Sequence, residues 1–265
     1  MSQAAASAPE LPLLRHDAEG IATLTLNRPE KFNTLSSEML DALTTTLREL
    51  ASDTATRVVV IAAQGKAFCT GHDLKELRAN RSERFYQEVL AKCSAMMQAI
   101  VGLPQPVIAQ VQGIATAAGC QLVASCDLAV AADDARFATS GINYGLFCAT
   151  PAVALSRNVS RKHALEMLYT GDFISAARAA EIGLINRAVP AAALEAEVLA
   201  LARNIADKSA YAIRLGKQSF HAQASQPLDG AYRCASADLV RNLLADDGIE
   251  GVDAFFEKRA PRYRQ

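Results

Sequence analysis

Residues 107–121 read VIAQVQGIATAAGCQ, and the order of residue types in that stretch carries the fold. Val107–Gln112 is apolar and rich in β-branched residues, as a buried strand requires, and Gly113 ends it. From Thr116 to Ser125 the residues are small and apolar, which suits a buried helix. Pro104 and Pro106 stop whatever helix precedes the strand. The same order occurs once before: a strand over Arg57–Ala63 (RVVVIAA), a loop over Gly65–Gly71, then a helix from about Asp73 to Val101, polar around Arg78–Arg84.

Working outward, Leu11–Arg15 and Ile21–Leu26 alternate as short strands about Asp17-Ala18-Glu19-Gly20, a hairpin signal. Asn27-Arg28-Pro29 ends the second strand, and Ser36 or Ser37 can cap a helix running to about Leu50, with Glu38 and Asp41 near its positive end. Leu128–Ala131 is a further strand and Phe137–Thr139 another. This alternation predicts an α/β core up to about residue 150. Helices dominate afterwards, over Arg161–Tyr169, Ser175–Ile182 (stopped by Gly183), Ala191–Ala206, Ala210–Gln223, Gln226–Ala245 and Ile249–Lys258, with a short strand at Leu184–Val189.

The whole chain is consistent with that class. Its 265 residues are 51% apolar and 21% charged, enough for a sizeable core without staples. A net charge of −1 argues against nucleic acid or an anionic membrane as the main partner. The six cysteines form no Cys-x-x-Cys pair and read as buried free thiols; the four scattered histidines have no metal-ligand spacing. Met1–Pro9 lacks the basic start and apolar core of a secretion signal, and no apolar run is long enough to span a bilayer. The expectation is a cytoplasmic protein with a disordered N-terminus over residues 1–10.

Two segments place a helix start directly after a buried strand and small residues: residues 67–74 (AFCTGHDL) and 113–121 (GIATAAGCQ). A helix start leaves backbone N–H groups unpaired, and the dipole adds positive potential there. Two such ends facing one point would form an oxyanion hole. Small residues that only let helix and strand pack closely would give the same pattern.

The chain resembles the enoyl-CoA hydratase/isomerase, or crotonase, family from about Leu24 to Arg259. The resemblance is carried by Leu26-Asn27-Arg28-Pro29, AFCTGHDLKEL (67–77), and Pro106-Val107-Ile108-Ala109 leading into GIATAAGCQLVASCDLAVAA (113–132). Leu168–Asp172 with Ile174–Ala176, Gly183–Asn186, and Glu250-Gly251 with Ala254–Arg259 continue it. GCQLVASCD (119–127) and GLFCATPAVAL (145–155) point to one group within the family. The resemblance implies a crotonase-like α/β fold: a superhelical core of repeated ββα units over residues 11–200 and a C-terminal helical region over 201–265 used in trimerisation. It also implies an acyl-CoA or enoyl-CoA thioester as partner, coenzyme A being part of the substrate, with no separate cofactor. Homotrimers or dimers of trimers are expected.

By the family pattern, the oxyanion donors are the backbone N–H groups of His72 and Ala118. Backbone around Lys31 and Phe32 would meet adenosine and the upper pantetheine arm, Leu74 would lie along the thioester end of the pocket, and Lys258 would pair with a CoA phosphate. Family hydratases use two glutamates, and here those positions hold Gln121 and Gly141. An amide cannot accept a proton at neutral pH, and glycine offers no side chain. Each positioned acid or base is worth roughly a hundred- to ten-thousand-fold, so ordinary hydration is expected to be weak or absent. The His72 imidazole titrates near neutrality and is a substitute base, against its simpler role as a pocket-rim residue. Cys148 and Tyr144 are candidates for the acyl pocket, and Asp73 and Asp127 read as helix-cap or structural carboxylates.

Overall fold

A computed structural model describes residues 11–264. The disordered N-terminus expected over 1–10 lies outside the described residues. The chain opens with the hairpin of β1 (Leu13–Ala18) and β2 (Ile21–Leu26). The turn is tighter than expected. Ala18 pairs directly with Ile21, so only Glu19 and Gly20 form it, at φ 52° and 75°. Two positive-φ residues make the turn whose twist matches that of the strands.

After α1 (Ser37–Ser52), capped by the Ser36 hydroxyl, the chain repeats one unit. β3 (Val58–Ala63) leads to β4 (Ala67–Cys69), then α2 (Leu74–Ala79) and α3 (Glu83–Gly102). β5 (Val107–Val111) leads to β6 (Ile114–Thr116) and α4 (Ala118–Ser125). β7 (Leu128–Ala132) leads to β8 (Arg136–Ala138), a 3-10 turn over Ser140–Tyr144, α5 (Ala149–Asn158) and α6 (Arg161–Thr170). In each unit the first strand joins a large sheet and the second a small one, which is the repeated ββα superhelix expected from the resemblance. β9 (Ile174–Ser175), α7 (Ala176–Glu181), β10 (Arg187–Val189) and α8 (Leu194–Ala206) close the core.

The large sheet runs β1-β2-β3-β5-β7-β10 and is parallel from β2 onward. Its central strands are buried on both faces, which is why RVVVIAA and VIAQV are runs rather than alternations. α8 crosses residue 200 and packs against β3, β5 and β7. The small sheet, β4-β6-β8-β9, is built from strands of two or three residues, of which the sequence marks only β8, expected over Phe137–Thr139. The long helix expected from Asp73 is two helices, because Asn80 caps α2 and the Ser82 hydroxyl starts α3 by accepting the Phe85 N–H.

The tail consists of α9 (Ala210–Ala224), α10 (Leu228–Leu244) and α11 (Asp246–Phe256). An ion pair at the surface of the core ties α9 to it. Lys217 on α9 donates to Asp127 at 2.7 Å and to the carbonyls of Ile100 and Gln105. Asp127 also accepts the Val107 N–H at 2.7 Å, so it is the structural carboxylate expected. No residue of α10 is buried, and Leu239, Leu243, Leu244, Phe255 and Phe256 are exposed. No helix among the described residues is long and apolar enough to cross a membrane.

Candidate site between two strand ends

The small sheet exists to bring the ends of its strands together. β4 and β6 are parallel neighbours, so the residues that follow them, Thr70–Asp73 and Ala117–Gly119, emerge side by side. Glycine permits the approach. A Cβ on Gly119 would fall 2.0 Å from the Cys69 carbonyl oxygen, and one on Gly113 2.2 Å from that of Lys66. One on Gly71, at φ +88°, would meet both the Ala117 methyl and the Ala118 nitrogen at 3.0 Å. The close-packing reading of these small residues is therefore correct as far as it goes.

Packing does not account for Ala117. It caps α4 at φ 52°, ψ −122°, a conformation that alanine rarely adopts and that costs of order 1–3 kcal/mol. That ψ sets the plane of the peptide carrying the Ala118 N–H, the first of α4, which has no acceptor within its own helix. On the other side Leu35 donates to the Gly71 carbonyl at 2.8 Å, fixing the backbone that leads into His72. Neither the His72 nor the Ala118 N–H has an acceptor among the described residues. The Asp73 carboxylate caps α2 by accepting from Lys75 and Glu76, as expected.

A third loop is pinned against these two by Asn33, which the sequence reading passed over. Asn33 is fully buried at φ 52°, donates to the carbonyls of Gln64 and Ala67, both at 2.8 Å, and accepts the Arg28 N–H at 2.8 Å. It thereby holds exposed Lys31 and Phe32 next to Thr70, whose N–H bonds the Phe32 carbonyl. Leu74, half-exposed, begins α2 directly behind His72.

Gln121 lies three residues into α4, is 5% exposed, and its Oε1 has no partner among the described residues. Gly141 is brought alongside by the Ala117 N–H bonding the Ala138 carbonyl and by a 2.8 Å contact between the Thr116 and Ser140 hydroxyls. It is closed off: a Cβ there would lie 2.6 Å from the Leu146 carbonyl oxygen and 2.8 Å from Cys148 Sγ. Cys148 is buried, whereas Tyr144 faces solvent. Lys258 sits apart on the tail at φ 55°, and no hydrogen bond or ion pair among the described residues links it to these loops.

Burial dominates the electrostatics of the site. Burial lowers the His72 pKa, with the Leu35 carbonyl and Glu76 acting weakly the other way. Burial pushes the thiol of Cys69 up to about 12 and that of Cys120 to about 12, and raises that of Cys148. All six cysteines are free, and all but Cys234 are buried. Among the described residues no cluster of His, Cys, Asp or Glu could hold a metal ion.

Comparison with known proteins agrees with the fold. The pattern of the enoyl-CoA hydratase/isomerase family matches residues 16–265. Mouse "enoyl-CoA hydratase domain-containing protein 3, mitochondrial" is 47% identical over 96% of this chain and 85% of its own length. A crystal structure described as enoyl-CoA hydratase from Mycobacterium smegmatis is 53% identical, with TM-score 0.95 over 97% of this chain and 100% of that one. The crystal structure of human enoyl-CoA hydratase domain-containing protein 3 is 47% identical, with TM-score 0.93 over 95% and 100% of the two chains. That the mouse relative is mitochondrial overturns the cytoplasmic expectation. That no helix among the described residues is long and apolar enough to cross a membrane does not distinguish one aqueous compartment from another.

Proposed function

The chain belongs to the enoyl-CoA hydratase/isomerase family, and from that premise we propose that it binds an acyl-CoA thioester with the carbonyl oxygen between the N–H groups of His72 and Ala118. One observation carries the reading: the Gly71 backbone approaches the Ala118 N–H so closely that a methyl group would fill the gap. Two N–H donors fixed by strand ends stabilise the negative charge of an enolate oxygen without reorganising. Lys31 and Phe32, on the loop held by Asn33, would line the CoA arm, with Leu74 beside the thioester. Lys258 would reach a CoA phosphate, in a trimer or dimer of trimers that covers the exposed apolar residues of α10 and α11.

Ordinary hydration does not belong to this reading. Gln121 supplies no carboxylate, and the space at Gly141 is occupied by Leu146 and Cys148. Those two positions also favour a second reading, a regulatory protein that binds CoA thioesters without turning them over. Calorimetry with butyryl-CoA and crotonyl-CoA tests the common core of both, and absence of binding would sink both. Loss of the conjugated enoyl absorbance of crotonyl-CoA at an ordinary hydratase rate would overturn the claim about hydration.

A further inference from the structure

We infer that the His72 imidazole is the proton-transferring group of this site, removing the α-proton of the bound thioester as the enolate forms; the inference rests on the thioester-binding reading above. Both ring nitrogens are shut away from solvent, and neither has a hydrogen-bond partner among the described residues. Such orphaned atoms are few in folded proteins, and each calls for a reason. The ring also belongs to the residue whose own N–H is offered to the carbonyl. Covalent geometry keeps its nitrogens within about 6 Å of that N–H. The α-carbon of a thioester held there is within reach of the ring, directly or through one water.

The rival groups are engaged or inert. Asp73 caps α2, Glu76 accepts the Ser37 N–H, and Asp127 holds Lys217 and Val107. Gln121 carries an amide, and burial keeps the Cys148 thiol protonated. His72 is held neutral by its burial, which is the form that accepts a proton.

The step balances without a co-reactant. An imidazole lone pair takes the α-proton, and the C–H electron pair becomes the C=C bond of the enolate. The carbonyl π pair moves onto the oxygen held by the two N–H groups. The imidazolium then returns a proton to carbon, and in D2O that proton is a deuteron.

The test is exchange of the α-protons of butyryl-CoA in D2O, followed by NMR with the full chain. Wild type is expected to exchange them well above the protein-free rate. His72→Gln should lower the rate at saturating ligand by about a hundredfold or more. Added imidazole should restore part of the activity of His72→Ala, which a purely structural role for the ring would not allow. Wild type that binds butyryl-CoA without exchanging it overturns the inference and leaves thioester binding standing. An undiminished rate in His72→Gln does the same, and failure to bind any acyl-CoA overturns both readings.

Discussion

Gly71 turns its Cα toward the N–H of Ala118, and the space between them is less than one methyl group deep: a Cβ on Gly71 would stand 3.0 Å from the Ala118 nitrogen. The gap is maintained at a cost, since Ala117 holds a strained backbone beside it and Gly71 sits where L-residues rarely do. Strain of this kind persists only where the surroundings over-determine it, and here two parallel strands and α4 do so.

Gly71→Ala fills that gap and forces alanine to φ +88°. It is expected to cost about 1–2 kcal/mol of stability and to abolish acyl-CoA binding. Calorimetry with butyryl-CoA on folded variant is the check. Binding at wild-type affinity would show that the carbonyl does not sit between these strand ends.

Gly141→Glu, even combined with Gln121→Glu, is not expected to install hydration. The new Cβ meets a backbone carbonyl at 2.6 Å and a buried sulfur at 2.8 Å, so the loop must move before the carboxylate can be placed. Overpacking of this sort costs about 1–3 kcal/mol. A lower melting temperature without crotonyl-CoA hydration is the predicted result. A stable double variant with hydratase activity would mean that the loop adapts readily.

Lys217→Met removes the only partner of opposite charge within bonding distance of Asp127 Oδ2 among the described residues. The Lys217 side chain is 8% exposed and that of Asp127 21%, so solvent screens part of the pair and its loss is expected to cost about 1–3 kcal/mol. Because this contact ties α9 to the core, the loss should appear first as protease sensitivity of the tail. It should also appear as dissociation of any oligomer in sedimentation. Unchanged urea stability and unchanged mass would place the tail's anchorage elsewhere.

Much of this was legible because residue type and place coincide. RVVVIAA and VIAQV read as strands because β-branched residues dominate them, and GIATAAGCQ marks a helix start because only small residues fit there. Of the small sheet only β8 was legible: strands of two or three residues carry no period, and their pairing is set by neighbours far along the chain. α5 was hidden by Pro151, which reads as a breaker but sits in the first turn, where its missing N–H costs nothing. Asn33 carried a faint signal, an asparagine just past a proline turn, and asparagine tolerates the left-handed conformation it adopts. Its two carbonyl partners are more than thirty residues away, beyond any local pattern. That Gly141 lacks a side chain was plain from the sequence, but only the fold reveals that Leu146 and Cys148 take up the room.

Burial lowers the His72 pKa from its ordinary value of 6.5, and this has a consequence for stability that needs no ligand. The unfolded chain protonates this ring as pH falls through about 6.5, while the folded chain does so only at lower pH. Between the two the unfolded state binds more protons, so the ring's contribution is intact above 6.5 and is lost as pH falls through the folded value. The slope cannot exceed about 1.4 kcal/mol per pH unit for one group. Urea titrations at pH 7.5, 6.5 and 5.5 should therefore show a loss of stability in wild type that is smaller in His72→Phe. Equal losses in the two proteins would mean that burial does not lower the pKa of this imidazole.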